Sequence, residues 1–226
     1  MTSTSLSVGE LVTAHPRAVA VLQRRQIDFC CGGARPLAEA CAARGIDPQA
    51  LLEEVHAEEV RWRADAVRWD ERSLPELIDH ILTRYHEPLI TELPRILAMA
   101  HRVQQVHGDK DPRIAELVAR VIALKDDLLP HMQKEELVLF PLIRGGRGML
   151  AGGPITVMHV EHEEVGALLR QIRALTDDFT APDGACGTWR ALWQGLADLE
   201  ADLHEHIHLE NNILFPKALH DGAEAA

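Results

Sequence analysis

The feature that most constrains this chain is a motif of eleven residues that occurs twice. His131–Pro141 reads HMQKEELVLFP and His206–Pro216 reads HIHLENNILFP, so both copies fit His-x-x-x-Glu-x-x-x-Leu-Phe-Pro. Residues four positions apart lie on the same face of an α-helix. Each copy therefore places an imidazole and a carboxylate on one face, and that face continues as an apolar stripe. Because a charge buried alone is costly, the pattern predicts helices that direct metal ligands into a protein core.

The duplication extends upstream of both motifs. His86 lies 45 residues before His131, and His162 lies 44 residues before His206. Each half therefore predicts a helical hairpin with one histidine on its first helix and the His–Glu pair on its second. Two antiparallel hairpins packed face to face form a four-helix bundle with these side chains inside. The candidate metal ligands are His86, His131, Glu135, His162, His206 and Glu210.

The fold class follows from the prevalence of helix formers. Aromatic residues make up only 4% of the chain, and no run of alternating β-branched residues occurs, so the sequence predicts an all-α protein. We expect a small N-terminal helical domain at 1–57, a charged helical linker at 58–72 and the bundle at 73–220. Capping boxes of the form Ser-x-x-Glu mark two helix starts, at Ser7–Glu10 and Ser73–Glu76.

The ends of the motif-bearing helices are expected at the two Phe-Pro pairs, Phe140-Pro141 and Phe215-Pro216. Proline lacks the backbone N–H and clashes with the preceding turn, so it ordinarily interrupts a helix.

Charge and targeting signals limit the partners. The formal net charge of −12 argues against binding to nucleic acid or to an anionic membrane, which requires clustered Lys and Arg. The chain starts with no secretory signal, and it has no apolar run long enough to span a membrane. We therefore expect a cytoplasmic protein whose four cysteines are reduced thiols.

The ligand types favour a pair of redox-active ions. Four histidines and two carboxylates are too many for one tetrahedral zinc, whereas calcium and magnesium prefer oxygen ligands. A mixed set inside a bundle suits two iron or two manganese ions. With Glu135 and Glu210 as bridges, coordination positions remain for a small bridging oxygen and for O₂, NO or peroxide.

Four further residues are candidates for a role beside the metals. Asp127, one turn before His131, and Glu161, next to His162, are either proton relays near the ligands or exposed carboxylates. Cys30 and Cys31 precede Gly32-Gly33. They are either buried packing residues or exposed reactive thiols.

Two histidines near the second motif are expected to face solvent. His204 and His208 lie 200° around the helix from His206, at about 100° per residue, so the pattern predicts that both are exposed.

The motifs carry a resemblance to a known family. HMQKEELVLFP and HIHLENNILFP resemble the metal motifs of hemerythrin-like domains. DFCCGG followed by such a bundle resembles the iron–sulfur cluster repair di-iron proteins, the RIC (YtfE, ScdA) family. The resemblance implies an N-terminal ScdA-type domain, a hemerythrin-like bundle with the same six ligands, and two non-haem iron ions with oxo and carboxylate bridges. It also implies that Cys30 and Cys31 serve as redox or transfer thiols.

The function implied by the resemblance is repair of iron–sulfur clusters after nitrosative or oxidative stress, through iron donation or NO chemistry. The expected partners are damaged iron–sulfur proteins, NO, O₂ or peroxide as small ligands, and an unidentified electron donor. A di-iron NO or peroxide reductase and an O₂- or NO-binding sensor or carrier are the alternatives. The sequence does not fix the oligomeric state, and a homodimer is one option.

Overall fold

In the computed structural model, which describes residues 6–61 and 67–224, the chain is all-α, as the sequence predicts. Apart from one bridge between Ser7 and Pro36, these residues contain no β structure. No helix within the same ranges is both long and apolar enough to cross a bilayer. The helices are α1 (Val8–Ala14), α2 (Ala18–Arg24), α3 (Leu37–Ala42), α4 (Pro48–Arg61), α5 (Leu74–Ile81), α6 (Glu87–His107), α7 (Arg113–Lys134), α8 (Phe140–Arg144), α9 (Gly152–Leu175), α10 (Gly187–Leu209) and α11 (Phe215–Glu224).

Both predicted capping boxes are present. The backbone N–H of Ser7 donates to Glu10 Oε2 at 2.7 Å, and the N–H of Glu10 donates to Ser7 Oγ at 3.2 Å. The same reciprocal pair joins Ser73 and Glu76 at 3.0 and 3.4 Å. Each box satisfies two backbone N–H groups that a helix start leaves without intrahelical partners, which fixes where α1 and α5 begin.

The chain divides into two compact units. The first comprises residues 1–79, 143–151 and 204–226, and the second comprises 80–142 and 152–203. In the first unit, α1 to α4 surround an apolar core that includes Leu11, Leu22, Leu37 and Leu51, each fully buried. Residues 62–66, within the expected linker at 58–72, lie outside the described residues.

The second unit is built from α6, α7, α9 and the first part of α10. Its helices bury apolar residues at spacings of three and four, the pattern of a helix with one face in a core. Gly195 on α10 packs against α6: a Cβ atom there would lie 3.3 Å from Arg95 Nη2 and in ordinary contact, at 3.7 Å, with the side chains of Ile96 and Met99. The buried residues of α6 are Leu89, Leu93, Ile96, Ala100 and Val103.

Three helical segments contain π-turns and continue past the prolines. The turns span Leu82–His86, Glu135–Leu139 and Glu210–Leu214, and α6, α8 and α11 follow them directly. The prediction that helices end at Phe140-Pro141 and Phe215-Pro216 is therefore wrong. A π-turn bonds residue i to i+5 and widens the helix. Proline is the second residue of each following helix. Its missing N–H therefore falls where the π-turn has already interrupted the regular i to i−4 hydrogen bonds.

Candidate metal centre

The apolar face of α7 leads directly into the histidine of the first motif. Leu124 and Leu128 are buried on this helix, and His131 continues the same face with only 2% of its surface exposed. Glu135, the first residue of the following π-turn, is fully buried. The periodicity that builds the core of the second unit therefore also carries an imidazole and a carboxylate into it.

Three histidines and one carboxylate meet inside the second unit. His131 Nε2 lies 3.4 Å from Glu135 Oε2, and His86 Nε2 lies 3.5 Å from the same oxygen. His162 Nε2 lies 3.1 Å from His131 Nε2. The ligand atoms of His131, Glu135 and His162 all lie within 4.8 Å of one another. His131 lies on α7 and His162 on α9, whereas His86 and Glu135 lie on π-turns.

These separations fit a bound transition-metal ion. A six-coordinate ion about 2.1 Å from its donors places neighbouring donors about 3.0 Å apart, and the measured gaps of 3.1–3.5 Å are close to that value. Imidazole nitrogens combined with a carboxylate suit iron, manganese or zinc rather than calcium or magnesium. The residues present therefore fit a cation that binds nitrogen and oxygen.

Two further carboxylates orient the histidine rings. His86 Nδ1 lies 2.8 Å from Glu136 Oε1, and His131 Nδ1 lies 2.8 Å from Glu161 Oε2. When Nδ1–H donates to a carboxylate, the Nε2 lone pair is left to face the site, which is the usual arrangement of a metal-binding histidine. Glu161 was a candidate from the sequence. Glu136 was missed, although its position immediately after Glu135 was a usable signal.

Glu161 is held in its charged form by hydrogen bonds from Lys134 and His131. Partial burial raises the pKa of this carboxyl, but hydrogen bonds from Lys134 and from His131 outweigh that effect and leave the pKa below its ordinary value. A charged Glu161 strengthens the bond to His131, because hydrogen bonds to ionised groups are stronger than neutral ones. Asp127, by contrast, is exposed on α7, and its role as a relay stays a prediction.

The second motif forms its own buried pair in the first unit. His206 Nε2 lies 3.1 Å from Glu210 Oε1, and the two residues are 1% and 0% exposed. The i,i+4 spacing places them on one face of the helix, although Glu210 begins a π-turn. This pair reproduces the relation between His131 and Glu135, as the duplication predicts.

The turn that carries Cys30 and Cys31 is organised by Asp28. Its Oδ1 accepts backbone hydrogen bonds from Cys30, Cys31 and Gly32 at 3.0–3.1 Å. Cys30 is buried and Cys31 is partly exposed, with their Sγ atoms 3.8 Å apart. A hydrogen bond with Cys31, burial and the nearby Asp28 charge raise the pKa of the Cys30 thiol well above its usual value. The buried thiol is therefore protonated at neutral pH.

His208 is buried, so the prediction that it is exposed is wrong. Its ring lies edge-on to Phe29 with centroids 5.8 Å apart, and its Nδ1 lies 3.0 Å from Asn212 Nδ2. Burial lowers the pKa of His208 to about 4, and a hydrogen bond to the backbone of Phe29 opposes only part of this shift. The helical wheel failed here because residues from the start of the chain cover the outer face of α10. His204, partly buried, lies against the same phenyl ring.

Comparison with known proteins finds two family models that match this chain. Residues 77–218 match the model of the hemerythrin HHE cation binding domain, and residues 4–59 match ScdA_N, a domain of unknown function. The iron-sulfur cluster repair protein YtfE of Dickeya chrysanthemi (strain Ech1591) is 45% identical over 213 residues, covering 94% of this chain and 96% of that protein. The chain belongs to the YtfE family of hemerythrin-like proteins.

Other members of the YtfE family show the same extent of similarity. The proteins of that name from Yersinia pseudotuberculosis serotype O:1b (strain IP 31758) and Yersinia pestis (strain Pestoides F) are both 43% identical, again over 94% of this chain and 96% of their own length. The HHE match includes all six candidate ligands, and the ScdA_N match includes Cys30 and Cys31. The family resemblance drawn from the motifs is confirmed.

Proposed function

We propose that this chain is a non-haem di-iron protein that repairs iron–sulfur clusters damaged by nitrosative or oxidative stress. The observation that carries the proposal is the cluster of buried ligands around Glu135. The Nε2 atoms of His86 and His131 lie 3.5 and 3.4 Å from Glu135 Oε2, and His162 Nε2 lies 3.1 Å from His131 Nε2. The names of the relatives from Dickeya chrysanthemi and Yersinia, which describe iron–sulfur cluster repair, supply the biological role.

The ligand set in this proposal is the one that the repeat selects. The buried His206–Glu210 pair repeats the geometry of the first motif, and the duplication supports one centre to which both halves contribute. Among the described residues, no cysteine belongs to a group that could hold a metal ion, which argues against a zinc–thiolate site. The proposed ligands are His86, His131, Glu135, His162, His206 and Glu210.

A pair of iron ions with oxo and carboxylate bridges, when bound, supplies redox chemistry and a place for NO, O₂ or peroxide to coordinate. The protein's own side chains keep the site dry and fix the rings. The rings of Phe140 and His86 have centroids 5.7 Å apart, and His86, His131 and His162 are at most 2% exposed. Lys134 contacts Glu161, which in turn contacts His131. This chain of groups offers a route for a proton between solvent and the ring of a ligand.

The partners in this proposal are damaged iron–sulfur proteins and an unidentified electron donor. We place the protein in the cytoplasm, where its thiols stay reduced. Cys30 and Cys31 are proposed as redox or transfer thiols, and Asp127 and Glu161 as proton relays. A homodimer remains one option for the assembled state.

The direct test is metal analysis of protein purified without oxygen. We expect about two irons per chain, as in other bundle proteins with this kind of ligand set, and an oxo-bridge absorption in the near ultraviolet after exposure to air. His162→Ala should lower the iron content, because it removes a ligand and leaves the neighbouring buried groups uncompensated. The matched control is His159→Ala, an exposed histidine on the same helix, which should keep its iron. Stoichiometric zinc, or full iron loading of His162→Ala, would refute the assignment.

Iron donation and reductase activity are separated by the fate of the iron. A donor releases iron to a partner, whereas a reductase of NO or peroxide keeps it through many turnovers. The experiment follows iron loss from the reduced protein to a chelator alongside consumption of NO. Loss that outpaces NO consumption supports donation, and many turnovers with retained iron support the reductase. We keep the reductase as the second candidate because reduction of NO or peroxide consumes protons. The contact between Glu161 and Lys134 offers a route by which protons reach the site.

A further inference from the structure

The two asparagines of this chain occupy adjacent positions in the third π-turn. Asn211 and Asn212 directly follow Glu210, and the sequence contains no other asparagine. The corresponding residues of the first motif are Glu136 and Leu137, and Leu137 is 76% exposed. The second copy of the repeat therefore carries two amides where the first carries Glu136, which contacts His86, and the exposed Leu137.

The two amides bind the backbone of the cysteine-bearing turn. Asn212 Nδ2 donates to the carbonyl of Phe29 at 3.1 Å and lies 3.4 Å from the carbonyl of Cys30. Asn211 Nδ2 donates to the same Cys30 carbonyl at 3.3 Å. Both groups belong to the first unit. The residues that follow Glu210 are thus bonded to the residues that precede and include the first thiol.

Two glycines make this close approach possible. A Cβ atom at Gly33 would overlap the side-chain amide of Asn212, and one at Gly9 would lie 2.5 Å from its Oδ1. The two glycines are themselves joined by a bond from Gly9 N–H to the Gly33 carbonyl at 2.8 Å. Any larger side chain at either position would displace Asn212. We call Asn211 and Asn212 the clamp. The Cys-Cys-Gly-Gly sequence therefore supplies both the thiols and the space that the clamp occupies.

The thiol of Cys30 is enclosed while this clamp is closed. Cys30 is 4% exposed, and its Sγ lies 3.4 Å from Asp28 Oδ1 and 3.8 Å from Cys31 Sγ. A reagent can reach a buried thiol only through local opening of the structure around it. The bonds from Asn211 and Asn212 oppose that opening, because they hold the Cys30 carbonyl.

We propose that Asn211 and Asn212 are positioning residues that make the accessibility of the Cys30 thiol depend on metal binding at Glu210. This inference rests on the proposed function, in which Glu210 is a metal ligand. The metal-loaded protein keeps the thiol enclosed, and loss of the metal exposes it. In the protein that has lost its iron, the Cys30 thiol is therefore accessible to reagents.

The physical link is the π-turn itself. Glu210 is its first residue, and the Glu210 carbonyl accepts the N–H of Phe215 across the turn. An ion bound to the buried Glu210 carboxylate stabilises the closed turn, because opening the turn would break the coordination. Removing the ion takes that stabilisation away, so local opening of the turn becomes more frequent. Its movement withdraws the amides of Asn211 and Asn212 from the carbonyls of Phe29 and Cys30.

The experiment measures alkylation of Cys30 by N-ethylmaleimide, with peptide mass spectrometry to locate the label. A Cys186→Ser background removes the exposed thiol, whereas Cys41, fully buried, can remain. We expect the iron-loaded protein to react about tenfold more slowly than the chelator-treated protein, equivalent to about 1.4 kcal/mol in the opening equilibrium. Asn212→Ala should retain iron and react rapidly in both states. Leu137→Ala, the same position in the first motif, should keep the wild-type difference.

Each outcome bears on one of the two proposals. Equal Cys30 rates in iron-loaded and iron-free wild-type protein would overturn the coupling while leaving the metal centre in place. A failure to bind iron would instead remove the proposed function, and with it this inference. If Asn212→Ala does not fold, as judged by helical circular dichroism, Gly33→Ala decides the matter. That variant keeps both asparagines and displaces the clamp, so a wild-type rate of Cys30 labelling in its iron-loaded form would refute the proposal.

Discussion

The substitution Glu161→Gln tests whether the carboxylate behind His131 strengthens metal binding. Glu161 Oε2 lies 2.8 Å from His131 Nδ1, and the side chain is 22% exposed. The amide of glutamine can still accept the Nδ1–H, so the variant changes the charge of the acceptor and keeps its shape. A lower iron affinity would therefore report the electrostatic part of this contact.

The expected loss follows from the strength of the two kinds of bond. Hydrogen bonds to charged groups contribute about 1.5–3 kcal/mol and neutral ones about 0.5–1.5 kcal/mol. Replacing the charged acceptor by a neutral one should therefore cost about 1 kcal/mol once partial exposure is considered. That corresponds to a Kd for iron that is about fivefold higher. Glu161→Ala removes the bond entirely and should weaken iron binding by about 10- to 100-fold. Glu136→Gln should have a smaller effect than Glu161→Gln, because the Glu136 side chain is 40% exposed.

The assay is equilibrium competition for Fe(II) against a coloured chelator, carried out without oxygen. Glu163→Gln is the control, since Glu163 is an exposed carboxylate on the same helix and its loss removes the same charge from the protein. An iron affinity of Glu161→Gln equal to that of Glu163→Gln would refute the reasoning, because the effect would then be one of net charge alone.

Three further predictions concern the thiols, a buried ion pair and the metal. Replacing Cys30 and Cys31 together by serine should leave iron content unchanged and reduce reactivation of an NO-damaged iron–sulfur enzyme; loss of iron would mean that the thiols bind the metal. Arg173→Leu should destabilise the protein by about 3 kcal/mol in urea unfolding, since Glu200 is 4% exposed and pairs with Arg173, whereas Arg173→Lys should recover part of that loss. Removing iron should lower the free energy of unfolding by about 2.7 kcal/mol if free iron had been 100-fold above its Kd, and an unchanged melting temperature would contradict a buried metal centre.

The relative positions of residues on one helix could be predicted from the sequence. The i,i+4 spacing of His131 and Glu135, and of His206 and Glu210, is a property of helix geometry, so the repeat was enough to identify both pairs. The two capping boxes were equally local. These features depend on hydrogen bonds and periodicities that a few neighbouring residues define by themselves.

The contacts between residues on different helices could not be predicted in the same way. The bond from His86 to Glu136 joins residues 50 apart in sequence, and nothing in the repeat specifies it. His208 is buried because residues near Phe29 cover it, and a helical wheel contains no information about such a partner. The π-turns were missed because proline alone predicts an interruption. The interruption can be one widened turn instead of the end of the helix.

The π-turns also set a limit on how this protein can vary. A π-turn adds one residue to a regular helix, and one residue corresponds to a rotation of about 100°. Deleting a single residue such as Val138 would restore an ordinary helix while turning everything on one side of the deletion by that angle relative to the other. Glu135 and Phe140, which are now both buried, would then face different directions. The number of residues between the glutamate and the proline of each motif therefore cannot change without turning the buried core residues away from the metal ligands.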